Sequence, residues 1–255
     1  MKLSHTPLES KVYLVGAGPG SADLITVRGM RILEQAEIVF HDALIDLELL
    51  SWCKNAKLVP VGKRCGAHSS SQSFINKCLI DAAKKYSMVV RLKGGDPLIF
   101  GRAAEEISAL QASGVHFEVI PGITTALAAS ASLQQPPTSR NLSRTLTITT
   151  LAGEHSYQDH PTKVFYMGRD QLAEIARTLK NEGCLSTTPV CLIESVSLPA
   201  ERKVFCYLSD LLDDRVFHQL NPTNPLIVMV GEVYRDLVDL NNTLGFNSET
   251  MNKVA

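Results

Sequence analysis

Acids, cations and glycines gather at a few short breaks in this chain, and their types suit work on a small anionic molecule. The run Lys93-Gly94-Gly95-Asp96-Pro97 follows an apolar segment. Two glycines without Cβ atoms let a backbone come close to a ligand. Asp96 can accept hydrogen bonds from a hydroxyl or an amine, and Pro97 fixes the turn. A solvated turn whose Asp starts the next helix would use the same residues. Asp42 and Lys63 stand at or just after two other breaks. Taken alone, the first reads as a strand-end cap and the second as a surface residue. Pro19 lies within Gly16-Ala17-Gly18-Pro19-Gly20, and Gly122-Ile123-Thr124 closes a further apolar run. Arg102 and Glu105 fall in the first turns of a helix expected over 100–113. An arginine there opposes the helix dipole, a small cost that an anionic partner would offset. Arg140 and Arg144 add positive charge after Pro136-Pro137.

The Gly16–Gly20 loop has a rival use. It lies between a strand and a helix, and Asp42 ends the next strand about 20 residues on, where a dinucleotide fold places its ribose acid. That would make the chain an NAD-dependent oxidoreductase. Two details count against it. The spacing is G-x-G-x-G, so the third glycine comes one residue early, and Pro19 removes an amide that a phosphate loop needs. An adenosine ligand without phosphates would not miss that donor.

The elements that must position these breaks alternate. Strands are expected over 11–16, 38–40, 57–60, 89–92 and 115–120, with helices over 23–36, 46–53, 73–85 and 100–113. In 23–36, Leu24, Val27, Ile32, Leu33 and Ala36 fall roughly on one helical face. Such alternation implies a parallel sheet covered on both faces. Its strand ends would then share one rim and one crevice, where open α/β sheets bind ligands. Residues 123–134 read as a small-residue helix, and Gln135-Pro136-Pro137 breaks the chain. Beyond it, strands are expected over 145–150, 163–167, 189–194, 203–206 and 226–231, with helices over 170–182 and 207–213. An isolated β-run ahead of the helices makes this half a mixed sheet. The expected division is an N-terminal α/β domain over 10–122, a C-terminal α/β domain over 123–242 and a polar, frayed tail over 243–255.

Composition narrows the partners. A formal net charge of −1 offers no global field for nucleic acid. Six cysteines, at 53, 65, 78, 184, 191 and 206, form no C-x-x-C pair and have no histidine at metal spacing. Free thiols in a reducing cytosol follow, and no metal. Residues 1–10 lack the apolar core of a signal peptide, and no apolar run reaches the ~18 residues of a membrane span.

Several segments together resemble the tetrapyrrole methylase family: VYLVGAGPGSADLITVRG at 12–29, VGKRCG at 61–66, VVRLKGGDPLIFGRAAEE at 89–106 and VIPGITTALAA at 119–129, then FYMGR at 165–169 and PLIVMVGEV at 225–233. The resemblance covers about residues 11–234. It implies two α/β domains with the active site in the cleft between them, a cytoplasmic homodimer, and S-adenosylmethionine as methyl donor with S-adenosylhomocysteine as product. The implied reaction is C-methylation of uroporphyrinogen III at C2 and C7 to give precorrin-2, on the way to siroheme, cobalamin or haem d1. Carried over by position, Pro19, Gly94, Gly95, Asp96, Ile99, Thr124, Thr125 and Met167 correspond to the family's cofactor contacts. Asp42 and Lys63 correspond to a proton acceptor and donor, while Arg102, Glu105 and Arg140 correspond to the groups that hold the tetrapyrrole. The chain departs from the family pattern at Gln135, Ser139, Leu151-Ala152 and Val196. Those departures motivate a third reading, a catalytically altered tetrapyrrole- or S-adenosylmethionine-binding protein.

Overall fold

The structure, a computed structural model, describes residues 11–61, 71–150 and 162–244. The chain divides into two compact units, Met1–Thr124 and Thr125–Ala255. In the first unit, apolar and β-branched runs form β1 (Lys11–Gly16), β2 (Ile38–His41), β3 (Lys57–Pro60), β4 (Met88–Lys93) and β5 (His116–Ile120). Every neighbouring pair is parallel, in the order β3-β2-β4-β1-β5. The crossovers carry α1 (Val27–Gln35), α2 (Leu47–Ser51), α3 (Gln72–Ala83) and α4 (Ala103–Ala112). Alternate strand residues point to opposite faces. Val12, Leu14, Phe40 and Val89 pack with Ile75, Leu79 and Leu110. Val15, Val39, Val90 and Leu92 pack with Ile32, Leu33 and Leu49 on the other side. β3 is an edge strand, where Pro60 is tolerated without its N–H.

Two helices start three or more residues later than the sequence expectation. The helix expected from 23 begins at Val27, because the Thr26 hydroxyl accepts the Gly29 N–H at 3.1 Å and caps it there. Residues Ala22–Leu24 form a separate 3-10 turn. The helix expected from 100 begins at Ala103. Phe100 and Arg102 have φ of 50° and 56°, left-handed values that a right-handed helix excludes.

The second unit opens with α5 (Thr125–Ser132) and holds β6 (Leu146–Thr149), β7 (Thr162–Phe165), α6 (Leu172–Asn181), β8 (Pro189–Glu194), β9 (Arg202–Tyr207), α7 (Asp214–His218), β10 (Leu226–Val230) and α8 (Arg235–Leu244). Its sheet runs β6-β7-β10-β8-β9 and is mixed. β6 pairs parallel to β7, while β7–β10, β10–β8 and β8–β9 are antiparallel. One face packs on α6 and the other on α5 and α8. The sequence reading contained neither α7 nor α8. The last residues of the expected tail, from 245, lie outside the described residues.

Candidate active site

β4 is the central strand, flanked by β1 and β2. Its residues 89, 91 and 93 alternate onto the face covered by α3 and α4. The first is Val89, but toward the C-terminal end of the strand that face turns charged. Arg91 and Lys93 are only 4% and 2% exposed, and Glu106 of α4 is fully buried. Buried ions require partners, and each has them. Arg91 donates Nε to Glu106 Oε1 at 3.0 Å, Nη1 to the Leu92 carbonyl at 3.1 Å, and Nη2 to Asp42 Oδ1 at 2.5 Å. Lys93 Nζ donates to Glu106 Oε2 at 2.9 Å. Burial opposes the charge of Arg91, but Asp42 and Glu106 outweigh it and raise its pKa. Burial and the neighbouring Arg91 charge lower that of Lys93, against the pull of Glu106.

Asp42 follows β2 and is a third exposed at its side chain. Its Oδ2 accepts from the Gly94 amide at 3.4 Å, so it is tied to the loop that leaves β4. Gly94 is exposed, and a Cβ placed on it would meet nothing within 4 Å. An open stretch of backbone therefore lies beside a carboxylate.

The next residues are locked together. Gly18 and Gly95 exchange both backbone hydrogen bonds, at 3.2 and 2.7 Å, which places the loop carrying Pro19 against the loop after β4. A Cβ on Gly122 would lie 2.2 Å from the Gly95 carbonyl oxygen, and one on Gly16 would lie 2.6 Å from Gly122 Cα. Three strand ends converge closely enough that only glycine fits. Asp96 fastens them. Its Oδ1 accepts the Leu98 amide at 2.8 Å and its Oδ2 the Gly122 amide at 3.0 Å. Ile99 is held by its amide to the Asp96 carbonyl at 3.2 Å.

This junction removes the basis of the nicotinamide reading. Ala17 and Gly18 give their amides to Lys93 and Gly95 at 2.8 and 3.2 Å, so the loop is not a phosphate nest. The sheet order also sets β4 between β1 and β2, whereas the dinucleotide fold keeps its first two strands adjacent.

Arg102 caps α4 in a left-handed conformation, so it does not occupy the first helical turn as the sequence suggested. Its guanidinium grips Glu105 in a two-point pair, Nε–Oε1 at 2.9 Å and Nη2–Oε2 at 2.7 Å, and this hydrogen bonding raises its pKa. The pair is solvent-exposed. Thr124 ends the first unit, and Thr125 opens α5. The N-terminus of α5 is supported by Tyr166, whose hydroxyl accepts the Ala126 amide at 2.8 Å. The neighbouring Met167 holds φ at 55° with its side chain 66% exposed. Left-handed backbone at a non-glycine residue is a strained conformation, and Met167 shares it with Ser195 and Ser197 of the same unit. Arg140 is exposed, its carbonyl accepting Arg144 Nε at 3.1 Å. Lys63, Leu151 and Ala152 lie outside the described residues. Sequence reasoning passed over Arg91 and Glu106. The available signal was an arginine and a lysine two apart in an otherwise apolar central strand.

The family model for Tetrapyrrole (Corrin/Porphyrin) Methylases matches residues 11–212. A uroporphyrinogen-III C-methyltransferase of Pseudomonas aeruginosa is 40% identical over 239 residues, covering 91% of this chain and 97% of the relative. A siroheme synthase of a Psychrobacter species is 39% identical over 88% of this chain, which spans 47% of that longer protein. A crystal structure titled uroporphyrin-III C-methyl transferase from Thermus thermophilus complexed with S-adenyl homocysteine is 35% identical, with a TM-score of 0.75 over 89% of this chain and 94% of the other. None of these likenesses favours the nicotinamide or the non-catalytic reading. On a match spanning most of its length and a near full-length relative at 40% identity, the chain belongs to the tetrapyrrole methylase family.

Proposed function

We propose that this chain methylates uroporphyrinogen III at C2 and C7, giving precorrin-2 and S-adenosylhomocysteine for siroheme, cobalamin or haem d1 synthesis. The observation that carries the reading is Asp42, held by Arg91 beside the open backbone of Gly94 at the end of the central strand. S-adenosylmethionine, when bound, supplies an electrophilic sulfonium methyl. The residues present suit it. The exposed backbone of Gly94 and the exposed apolar side chains of Leu98 and Ile123 match a nucleoside and an aliphatic chain, and the occupied amides of Ala17 and Gly18 match a ligand without phosphates.

In this reading Pro19, Gly94, Gly95, Asp96, Ile99, Thr124, Thr125 and Met167 hold the methyl donor. Arg102, Glu105 and Arg140 engage the acidic tetrapyrrole, whose carboxylates match the planar fork of arginine. A pyrrole carbon that gains a methyl leaves its ring cationic. Asp42 accepts the proton whose loss discharges that cation, Lys63 is the proton donor, and Arg102 takes part in catalysis as well as in binding. The two domains of the reading are 10–122 and 123–242. The enzyme is a cytoplasmic homodimer. Free thiols at Cys53, Cys78, Cys184, Cys191 and Cys206 support the compartment, and exposed Leu127 and Leu142 support self-association. Among the described residues no helix is long and apolar enough to cross a membrane.

The test is anaerobic turnover of freshly generated uroporphyrinogen III with S-adenosylmethionine, the product being read by mass. Two added methyl groups are expected. Binding of S-adenosylhomocysteine with no methylated product would overturn the reading.

A further inference from the structure

We propose that Glu106 is a positioning residue that sets the orientation and charge of Asp42 through Arg91, with Lys93 as its balancing cation. The inference rests on Asp42 being the proton acceptor.

The four groups form one chain. Glu106 directs both oxygens at β4, Oε1 to Arg91 and Oε2 to Lys93, and Gln72 of α3 adds a bond to Oε1 at 3.4 Å. Arg91 is used on every side, with Nε toward Glu106, Nη1 toward the carbonyls of Leu92 and Phe40 at 3.1 and 3.5 Å, and Nη2 toward Asp42. The guanidinium plane is fixed from the helix side, so the edge it presents to Asp42 is fixed as well. Stability does not explain the arrangement. Desolvating each ion costs several kcal/mol, and buried ion groups of this kind are often replaceable by apolar residues without loss. A defined orientation is what such a group does supply.

The charges explain Lys93. Two cations, Arg91 and Lys93, face two anions, Asp42 and Glu106. With Lys93 present, Glu106 has its own counter-ion, and the charge of Arg91 remains available to Asp42. Without it, Glu106 would neutralise Arg91 and leave Asp42 unmatched. The loop beyond Asp96 closes over this pair, since a Cβ on Gly101 would come within 3.0 Å of Lys93 Cε. Arg102, paired with Glu105, also interacts electrostatically with Glu106.

Three variants test this: Glu106→Gln, the charge-balanced double Lys93→Met/Glu106→Gln, and Asp42→Asn. Each is assayed for kcat and KM with uroporphyrinogen III across pH, and for S-adenosylhomocysteine affinity by calorimetry. Glu106→Gln removes an anion that competes for Arg91. It should cut kcat about 10- to 100-fold and displace the acidic limb of the rate profile downward by about one pH unit. KM and S-adenosylhomocysteine affinity should stay within about twofold. If this variant fails to fold, the double variant is the readout: its kcat should fall about tenfold with KM and cofactor affinity retained, and its limb should stay near the parent's because no net charge is lost. Unchanged kcat in whichever variant folds overturns the proposal. So does lost kcat in Glu106→Gln with an unmoved acidic limb, which is the mark of a merely structural role. Asp42→Asn separates the two levels. If it keeps full activity, the acceptor reading itself fails and takes the inference with it. If it loses activity while the Glu106 variants keep theirs, the inference alone fails.

Discussion

Asp96 points both carboxylate oxygens at backbone amides, those of Leu98 and Gly122. Its first duty is therefore to hold two loops in register, and any ligand contact uses the lone pairs left over. We predict that Asp96→Ala lowers stability by about 1–3 kcal/mol, the usual cost of stranding amides, and weakens S-adenosylhomocysteine binding in parallel. Urea unfolding and calorimetry on the same sample check both. Met167 is expected to separate the two effects. Replacing it with Gly relieves a left-handed φ of 55°, so the unfolding midpoint should hold or rise while affinity for S-adenosylhomocysteine falls about tenfold. A fall in both would make Met167 a structural residue. At this scale the sequence was legible where one residue type has one use. Gly94 and Gly95 announce a loop whose backbone is bare of Cβ atoms, and Asp96 a side chain that can fasten it. Arg91 and Glu106 were not legible, because their pairing spans 15 positions and depends on which face of β4 meets α4.

At the scale of elements, the junction of Gly16, Gly95 and Gly122 positions everything the strands present. A Cβ on Gly122 would sit 2.2 Å from a carbonyl oxygen that belongs to backbone and has nowhere to go. We predict that Gly122→Ala costs at least about 2 kcal/mol and abolishes cofactor binding. Gly114→Ala should affect stability alone, since nothing lies within 4 Å of its would-be Cβ and its φ of 66° is the sole penalty. Denaturation midpoints and calorimetric titration of the two variants decide it. Strand positions were readable because buried strands are short apolar runs bounded by glycine and proline. Helix starts were less so. The 100–113 helix lost its first three residues to left-handed Phe100 and Arg102, and nothing in a Phe-Gly-Arg run advertises positive φ. The segment that forms α8, RDLVDLNNTL, buries Val238 against the second sheet but is polar enough to resemble a tail.

At the scale of the molecule, alternation of strand and helix was enough to indicate the parallel sheet of the first unit, while the strand order had to come from the structure. Both units also bury thiols. Burial raises the pKa of Cys53 to about 11 and that of Cys206 to about 12, and pushes Cys191 higher still. A raised thiol pKa means stability present below the unfolded value of 9.0 and lost as pH rises toward the folded one. Lys93 acts in the opposite sense, since its depressed pKa adds stability as pH climbs from the folded value to 10.5. The pKa values of Cys78 and Cys184 are raised by burial as well, so five thiols act in one sense against one lysine in the other. We predict a net loss above pH 9, about 2 kcal/mol from Cys206 alone near about pH 10.5. Urea unfolding at neutral and alkaline pH measures it, and Cys206→Ala should flatten that decline. An unchanged midpoint would mean that the thiols are solvated.

The placement of β4 between β1 and β2 also bears on how the protein is made. β1 and β2 follow each other in the chain yet never touch as neighbours, because the slot between them belongs to residues 88–93. A ribosome that has released only the first 87 residues presents two apolar strands around an empty place. No sheet can close until β4 emerges, and long-range parallel pairing of this kind is slow. The strand that ends in the charged cluster is thus also the one the nascent chain must wait for. In that interval the exposed edges are open to chaperones or to a neighbouring nascent copy.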